Sequence, residues 1–137
     1  MKIYKHILSK KNIDTILYED FSTLRIEAYK NDKFMGQMIC EIHKESKSIK
    51  ICDIRSEKKN KGYGSLMMQK LIEFANQNDF IYIDGWLSRV HFDHKERLLH
   101  FYQKFGFEIT LCNENIKFAD INLNFKNVAN NKIYVIN

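Results

Sequence analysis

Apolar and polar positions along this chain follow two rhythms, one typical of strands and one typical of helices. Segments 15–18 and 21–29 predict extended structure, and the polar turn 30–33 that follows them predicts a hairpin. Beyond that turn, the pattern predicts a strand with one apolar face, formed by Phe34, Met38, Cys40 and Ile42. A second polar turn at 44–47 leads into a further strand that ends at Ile54.

The strand that ends at Ile54 changes phase in its middle. Ile49 and Ile51 fall on one face, whereas Cys52 and Ile54 fall on the other. One extra residue near Asp53 would bring both pairs onto the same face, which is what a β-bulge does. A strand buried on both faces would give the same pattern, so both interpretations stay open at this point.

Apolar residues spaced three and four apart predict a helix from about Gly62 to Asn76. Its sheet-facing side would carry Met67, Leu71, Phe74 and Ala75. The short apolar segment 80–83 follows this helix and predicts another strand. Because a helix connects the two strands, we expect them to lie parallel.

A second helix is expected after Asp93, because Asp93 followed by Glu96 is the pattern of a capping box. Its buried stripe would contain Leu98, Phe101, Tyr102 and Phe105. Gly106 fits the position just beyond its C-terminus. The segment 86–94, which precedes this helix, is predicted to be a loop rich in side chains that could do chemistry.

The remaining segments close the predicted fold. Residues 107–111 and 116–125 predict an antiparallel pair, and 132–136 a last short strand. Strands around two helices predict an α/β fold with a mixed sheet, as one domain over residues 1–137.

Composition narrows the function classes. Three scattered cysteines, Cys40, Cys52 and Cys112, without Cys-x-x-Cys spacing argue against a disulfide framework or a zinc site, and favour a reducing cytoplasm with no metal. We find no apolar run long enough for a signal peptide or a membrane span. The net charge is +5, but the lysines are dispersed and do not form a stripe with aromatic residues, which disfavours nucleic-acid binding.

The segment between the strand ending at Ile54 and the first helix carries a Gly-x-Gly pattern. Its residues are Lys59, Asn60, Lys61, Gly62, Tyr63, Gly64 and Ser65. A strand that turns through glycines into a helix makes an anion site, because backbone N–H groups converge there and the helix dipole adds positive charge. The segment lacks the Gly-Lys-Ser/Thr of a P-loop and the third glycine of a dinucleotide fingerprint.

This glycine segment resembles the acyl-CoA pyrophosphate loop of the GNAT superfamily of N-acetyltransferases. The family pattern is Gln/Arg-x-x-Gly-x-Gly/Ala, and Lys59 stands at the Gln/Arg position. A second segment, 98–107, resembles the Phe-Tyr-x-Lys-x-Gly-Phe ending of the family's next helix. The two segments follow in the family's order and spacing, and the resemblance covers about 34–125.

The resemblance implies a GNAT-like, mostly antiparallel twisted sheet with a central splayed parallel strand pair and helices packed on its faces. Most members place two helices between their first two strands, where these helices shape the acceptor site. There is little room for them before Phe21, so we expect the N-terminal helices to be shortened or absent. The segment 86–94 resembles a stretch of some small bacterial GNAT proteins and is expected to line the acceptor side.

The resemblance also implies acetyl-CoA as the donor. Lys59 and the backbone from Asn60 to Ser65 would bind its pyrophosphate, and Ile54, beside the bulge, would bind its pantetheine arm. Lys95 stands where the family tends to have an Asn near the pantetheine.

Tyr102 matches the family's general acid, which protonates the departing thiolate; a core tyrosine on a helix stripe is the alternative. The base is open among Asp53 at the bulge, Glu41 on the adjacent strand and His91 before the second helix. For Cys52, a small buried hydrophobe is favoured over a covalent acyl-enzyme.

We therefore expect an acetyl-CoA-dependent N-acetyltransferase that acts by direct transfer within a ternary complex. The acceptor would be a primary amine on a small molecule or a protein, with no membrane partner, and the family allows a homodimer. A non-catalytic acyl-CoA-binding or sensor protein of the same fold is the alternative, which Lys59, Lys95 and the short N-terminus keep open. A basic nucleic-acid-associated protein is a third hypothesis.

Overall fold

The computed structural model of the chain describes residues 1–8, 12–57 and 62–125, which form one eight-stranded sheet and its helices. The strands are β1 (Lys2–Leu8), β2 (Ile13–Glu19), β3 (Thr23–Lys30), β4 (Lys33–His43), β5 (Ser48–Ser56), β6 (Tyr82–Ser88), β7 (Glu108–Leu111) and β8 (Lys117–Asn124). The helices are α1 (Tyr63–Gln77) and α2 (Lys95–Lys104), with a 3-10 helix (Arg89–His94) directly before α2. The strand predicted at 132–136 lies outside the described residues.

The sheet has the order β1-β2-β3-β4-β5-β6-β8-β7, and every neighbouring pair is antiparallel except β5 and β6. Asn31 and Asp32 connect β3 to β4 with φ angles of 50° and 65°, the left-handed conformation that a two-residue hairpin turn requires. The α1 helix connects β5 to β6. The mixed, mostly antiparallel sheet with one central parallel pair is therefore confirmed.

The predicted apolar face of β4 is wrong at Phe34. Tyr29 pairs with Phe34 but Ala28 pairs with Gly36, so Met35 is an extra residue in β4. This irregularity changes the phase of the strand, so Met35 is buried and Phe34 is 38% exposed.

The bulge predicted in β5 is confirmed. Ile39 of β4 pairs with Asp53, whereas the next residue, Cys40, pairs with Ile51. Cys52 is therefore the extra residue of β5. The phase change along this strand is the result of the bulge and not of burial on both faces.

The start of α2 differs from the prediction. Asp93 lies inside the 3-10 helix and contacts His94 at 3.4 Å, so it forms no capping box. The 3-10 helix is capped instead by Ser88, whose hydroxyl accepts a hydrogen bond from the backbone N–H of Val90. Residues 86–88 continue β6, so the predicted loop is replaced by a strand end and a tight helix.

The N-terminal part of the described chain consists of strands. β1 pairs with β2 along its whole length and was not predicted, because its lysines interrupt the apolar pattern. Within the described residues no helix precedes Tyr63, in the region where we expected N-terminal helices to be shortened or absent.

Both α-helices pack on one face of the sheet, which we call the core face. It carries the buried side chains of Ile26, Met38, Cys40, Ile49, Ile51, Ile83 and Leu123. A Cβ placed on Gly36 would lie 3.3 Å from Met67 of α1, and one on Gly106, just past α2, 3.6 Å from Leu123. The opposite face, the open face, carries the alternate residues, among them Glu41, Lys50, Asp84 and Trp86.

Candidate active site

β5 and β6 run side by side only as far as the pair Ile51–Gly85. A Cβ on Gly85 would lie 3.1 Å from the carbonyl oxygen of Ile51, so glycine permits the close approach of the two backbones there. Beyond this pair, β5 continues to Ser56 against β4, and β6 continues to Ser88 against β8. The strands therefore part, as expected, and leave a gap between residues 52–56 and 86–88 that we call the β5–β6 opening.

The bulge lies at the closed end of this opening. Cys52 is exposed, so the expectation of a small buried hydrophobe is wrong at this position. Partial desolvation, followed by the carboxylate of Glu41, still raises the pKa of its thiol above the usual value. A thiol with a raised pKa is a poor nucleophile at neutral pH, because the thiolate is the reactive form. Ile54, the predicted pantetheine contact, follows in β5 and is half-buried against the core.

The N-terminus of α1 has the geometry of an anion site. Gly62 precedes the helix with a φ of 87°, a left-handed conformation that favours glycine, and it gives the helix no side-chain cap. The first turn contains no acidic residue, and the first N–H groups of a helix have no partner within it. Lys59, Asn60 and Lys61 lie outside the described residues, so their contacts with a pyrophosphate stay a prediction.

Helix α2 contributes a cation to this helix start. Lys104 donates a hydrogen bond from its Nζ to the hydroxyl of Ser65 at 2.7 Å, and it lies 5.3 Å from the ring centroids of Phe101 and Phe105. A Cβ on Gly64 would lie 3.4 Å from the Phe101 ring, so the two helices are in close contact here. We did not predict Lys104 as a site residue. The lysine within the Phe-Tyr-x-Lys motif is the sequence feature that could have indicated it.

Tyr102, the predicted general acid, is 5% exposed. Its ring makes edge-on contacts with Phe101 and Phe107, at centroid distances of 5.1 and 5.4 Å. Burial, with smaller contributions from Cys40 and Asp53, raises the pKa of its phenol. Among the described residues, none forms a hydrogen bond with its hydroxyl.

The three predicted bases are not brought together. Glu41 contacts the ring of His43 at 3.2 Å, and Asp53 accepts a hydrogen bond from Arg55 at 2.7 Å. Both carboxylates lie on the open face beside the bulge. His91 is exposed in the 3-10 helix, and no described contact joins it to Glu41 or Asp53.

Lys95, the other predicted CoA contact, is the first residue of α2. Its Nζ lies 4.4 Å above the ring of Phe92, which packs in turn on Phe118 with a centroid distance of 5.4 Å. This cation–π contact holds Lys95 over the 3-10 helix. Its contact with the pantetheine stays a prediction.

Asp84 is a carboxylate that the sequence pattern did not single out. Burial raises its pKa, while Lys50, His43 and its own backbone N–H act in the opposite direction, and Asp120 adds to the rise. The sequence feature that could have indicated Asp84 is a single acidic residue between Ile83 and Gly85, within a strand that is apolar on its other face.

Residues 1–8, 12–57 and 62–125 contain no three histidine, cysteine or acidic side chains close enough together to hold a metal ion. None of the helices found there is long and apolar enough to cross a membrane.

Comparison with known sequences finds one family. The model of the acetyltransferase (GNAT) family matches residues 3–107. A curated relative, the uncharacterized protein YocC of Bacillus subtilis (strain 168), is 30% identical over 78 residues, which cover 54% of this chain and 47% of YocC. The chain thus spans about half the length of that relative.

Solved structures of similar fold include several acetyltransferases. The dodecameric spermidine N-acetyltransferase from Vibrio cholerae gives a TM-score of 0.66 at 15% identity, covering 82% of this chain and 70% of that one. PaiA N-acetyltransferase from Thermoplasma acidophilum, in complex with coenzyme A, gives 0.62 at 12% identity, covering 75% and 61%. A putative streptothricin acetyltransferase from Bacillus anthracis, in complex with acetyl coenzyme A, gives 0.63 at 15% identity, covering 78% and 65%. At these identities the likeness concerns the fold.

Proposed function

We propose, because the chain belongs to the GNAT acetyltransferase family, that it transfers an acetyl group from acetyl-CoA to a primary amine. The observation that carries this proposal is the position of Tyr102. Its buried phenol, with a raised pKa, lies within electrostatic reach of Asp53 at the bulge where β5 leaves β6. A phenol in that position can donate a proton to a leaving group held in the β5–β6 opening.

The core face and the two helices that pack on it together form what we call the core side. Features on this core side support the binding of acetyl-CoA as donor. The uncapped start of α1 and the Nζ of Lys104 suit the pyrophosphate, because both present positive charge at one place. The β5–β6 opening suits the pantetheine arm, because a strand edge without a neighbouring strand can hydrogen-bond to the amides of the arm.

The proposed reaction is a direct transfer. The neutral amine nitrogen attacks the thioester carbonyl carbon, a C–N bond forms and the C–S bond breaks. The departing thiolate takes the phenol proton of Tyr102, and the proton lost from the nitrogen goes to a base and then returns to the phenolate. The raised pKa of the Cys52 thiol argues against an acyl-enzyme on that residue.

A non-catalytic acyl-CoA-binding protein is the second candidate. Two observations favour it: Lys95 is held over Phe92, and no described helix precedes Tyr63 to build the usual acceptor site. Such a protein would bind acetyl-CoA and release no free CoA.

The two candidates are separated by measuring free thiol from acetyl-CoA together with calorimetric binding of acetyl-CoA. We expect micromolar-to-millimolar binding and thiol release that depends on an added amine, with the N-acetyl product identified by mass spectrometry. Binding without release across small amines, amino acids, polyamines and lysine peptides would contradict the enzyme and support the binding protein. Absence of binding would contradict both.

A further inference from the structure

A cavity of about 330 Å³ lies on the open face where β5 meets β6. Charged side chains of three strands line it together with one large ring, and the ones that matter here are Lys50, Asp84, Trp86 and Asp120. Trp86, the only tryptophan of the chain, is 42% exposed. The cavity therefore combines an apolar surface with charges of both signs.

Two of these charged groups are directly opposed across the parallel pair. Lys50 and Asp84 are register partners, and both alternate with residues of the core face, so both point to the open face. Within the described residues they form no ion pair with each other or with a third group. By contrast, Asp120 is held by Lys117 at 2.9 Å.

The cavity borders the position where the thioester would lie. Asp84 precedes Gly85, the last residue of β6 that pairs with β5, and Trp86 is the first residue beyond it. Neighbouring strands are about 4.8 Å apart and a strand advances about 3.3 Å per residue, so the Cα of Asp84 lies roughly 8 Å from that of Cys52 at the bulge, a distance that a bound amine can span.

We propose that this cavity binds the acceptor, and that the acceptor is a primary amine that also carries an anionic group, of which an aromatic amino acid is the simplest example. This rests on the proposed acetyltransferase function. Asp84 holds the amine, Lys50 holds the anionic group and Trp86 packs against the apolar part. The ammonium held by Asp84 first loses one proton to solvent. As the C–N bond forms and the C–S bond breaks, one of the two remaining nitrogen protons passes to the Asp84 carboxylate and from there to the phenolate, while the departing thiolate takes the phenol proton of Tyr102.

The charges disfavour a polyamine as acceptor. Lys50 lies beside Asp84 and would repel the second cationic group of a polyamine. An amine without an anionic group would make no charged contact with Lys50, which lies between Glu41 and Asp84. We therefore expect the order aromatic amino acid, aromatic amine, polyamine.

Three probe ligands test this order: L-phenylalanine, phenethylamine, which lacks only its carboxylate, and spermidine. We expect kcat/KM for L-phenylalanine to exceed that for phenethylamine at least tenfold, with spermidine lowest. Lys50→Met should remove that preference, and Asp84→Asn should lower kcat/KM for every amine about 100-fold. Neither variant should change the Kd of acetyl-CoA in calorimetry. Lys33→Met and Asp32→Asn, at the exposed β3–β4 turn, are the matched controls and should leave all three values within twofold.

Two results would overturn the acceptor assignment and leave the acetyltransferase function intact. One is acetyl transfer with an equal or greater preference for phenethylamine or spermidine. The other is an Asp84→Asn enzyme whose kcat/KM stays within threefold of the wild type.

The fluorescence of Trp86 gives a readout that does not depend on turnover. L-phenylalanine absorbs too little to interfere with excitation at the indole band, so its binding can be followed by the change in Trp86 emission. We expect a saturable change in the wild type with CoA present, and none in Asp84→Asn or Lys50→Met. If no amine is acetylated but this change is present, the cavity assignment stands and the acetyltransferase function fails; if the wild type shows no change, the cavity assignment fails.

Discussion

The core side and the open face of this molecule recognise their proposed ligands by different means. The core side uses backbone geometry: the start of α1, the bulge in β5 and the last pair of β5 and β6, completed by Tyr102 of α2. The open face uses side chains from separate strands, with Lys50, Asp84 and Asp120 around one cavity. If both proposals hold, the donor is bound mainly by backbone geometry, and the acceptor is selected by a few side chains.

The largest expected effect concerns Tyr102 on the core side. Tyr102→Phe removes the proton donor and keeps the ring contacts with Phe101 and Phe107, so kcat should fall about 100-fold or more. The Kd of acetyl-CoA should stay within twofold. Steady-state kinetics and calorimetry measure the two quantities, and Tyr18→Phe on β2 is the control. Unimpaired turnover in Tyr102→Phe would show that the phenol is a core group only.

The next effect concerns the start of α1. Gly64→Val should lower CoA affinity at least about tenfold, because a branched side chain directed at the Phe101 ring would push the start of α1 away from α2 and displace the N–H groups that a phosphate would approach. Gly64→Ala is the matched control for packing, since its methyl group would make an ordinary contact of 3.4 Å with the Phe101 ring. Calorimetry with CoA measures both. Equal affinity in Gly64→Val and the wild type would remove the glycine segment from the binding site.

A smaller effect is expected from the cation that α2 adds. Lys104→Met should weaken CoA binding about threefold at low salt, because one exposed charge at a helix end contributes modestly and is screened by ions. The difference from the wild type should shrink as salt is raised. Lys33→Met provides the comparison of equal charge change, and a Lys104→Met protein that binds CoA as tightly as this control would contradict the assignment.

The features of the core side and of the open face could be predicted from the sequence to different extents. The bulge was one of two interpretations of the sequence because Ile49, Ile51, Cys52 and Ile54 record a phase change within a few residues. The α1 helix and the parallel pair were predicted from the spacing of apolar residues that follows. The irregularity at Met35 was missed, since neighbouring apolar residues on both faces of β4 hide the extra position.

Other features could not be predicted because they depend on contacts between distant segments. Lys104 meets Ser65 across 39 residues of sequence, and Lys50 meets Asp84 only through strand pairing. Asp93 and Glu96 have the spacing of a capping box, but no capping box forms there. The 3-10 helix capped by Ser88 occupies that segment instead.

The smallest expected effect concerns stability on the open face. Burial raises the pKa of Asp84 in the folded protein, so ionisation favours the unfolded state and the carboxylate destabilises the fold as pH rises through its unfolded pKa. Asp84→Asn should therefore leave the unfolding temperature at pH 7 equal to or above that of the wild type. Asp120→Asn, which loses the contact with Lys117, should leave it equal or lower. A marked loss of stability in Asp84→Asn would show that the carboxylate serves the fold and not the acceptor.

The central claim is that a thioester lies in the β5–β6 opening with its sulfur beside Tyr102. A crystal structure of the chain with CoA tests this most directly. We predict the pyrophosphate at the start of α1, the pantetheine arm between Ile54 and Trp86, and the sulfur within about 3.5 Å of the Tyr102 hydroxyl. A CoA molecule bound elsewhere, or a sulfur separated from Tyr102 by the closed sheet, would contradict the account.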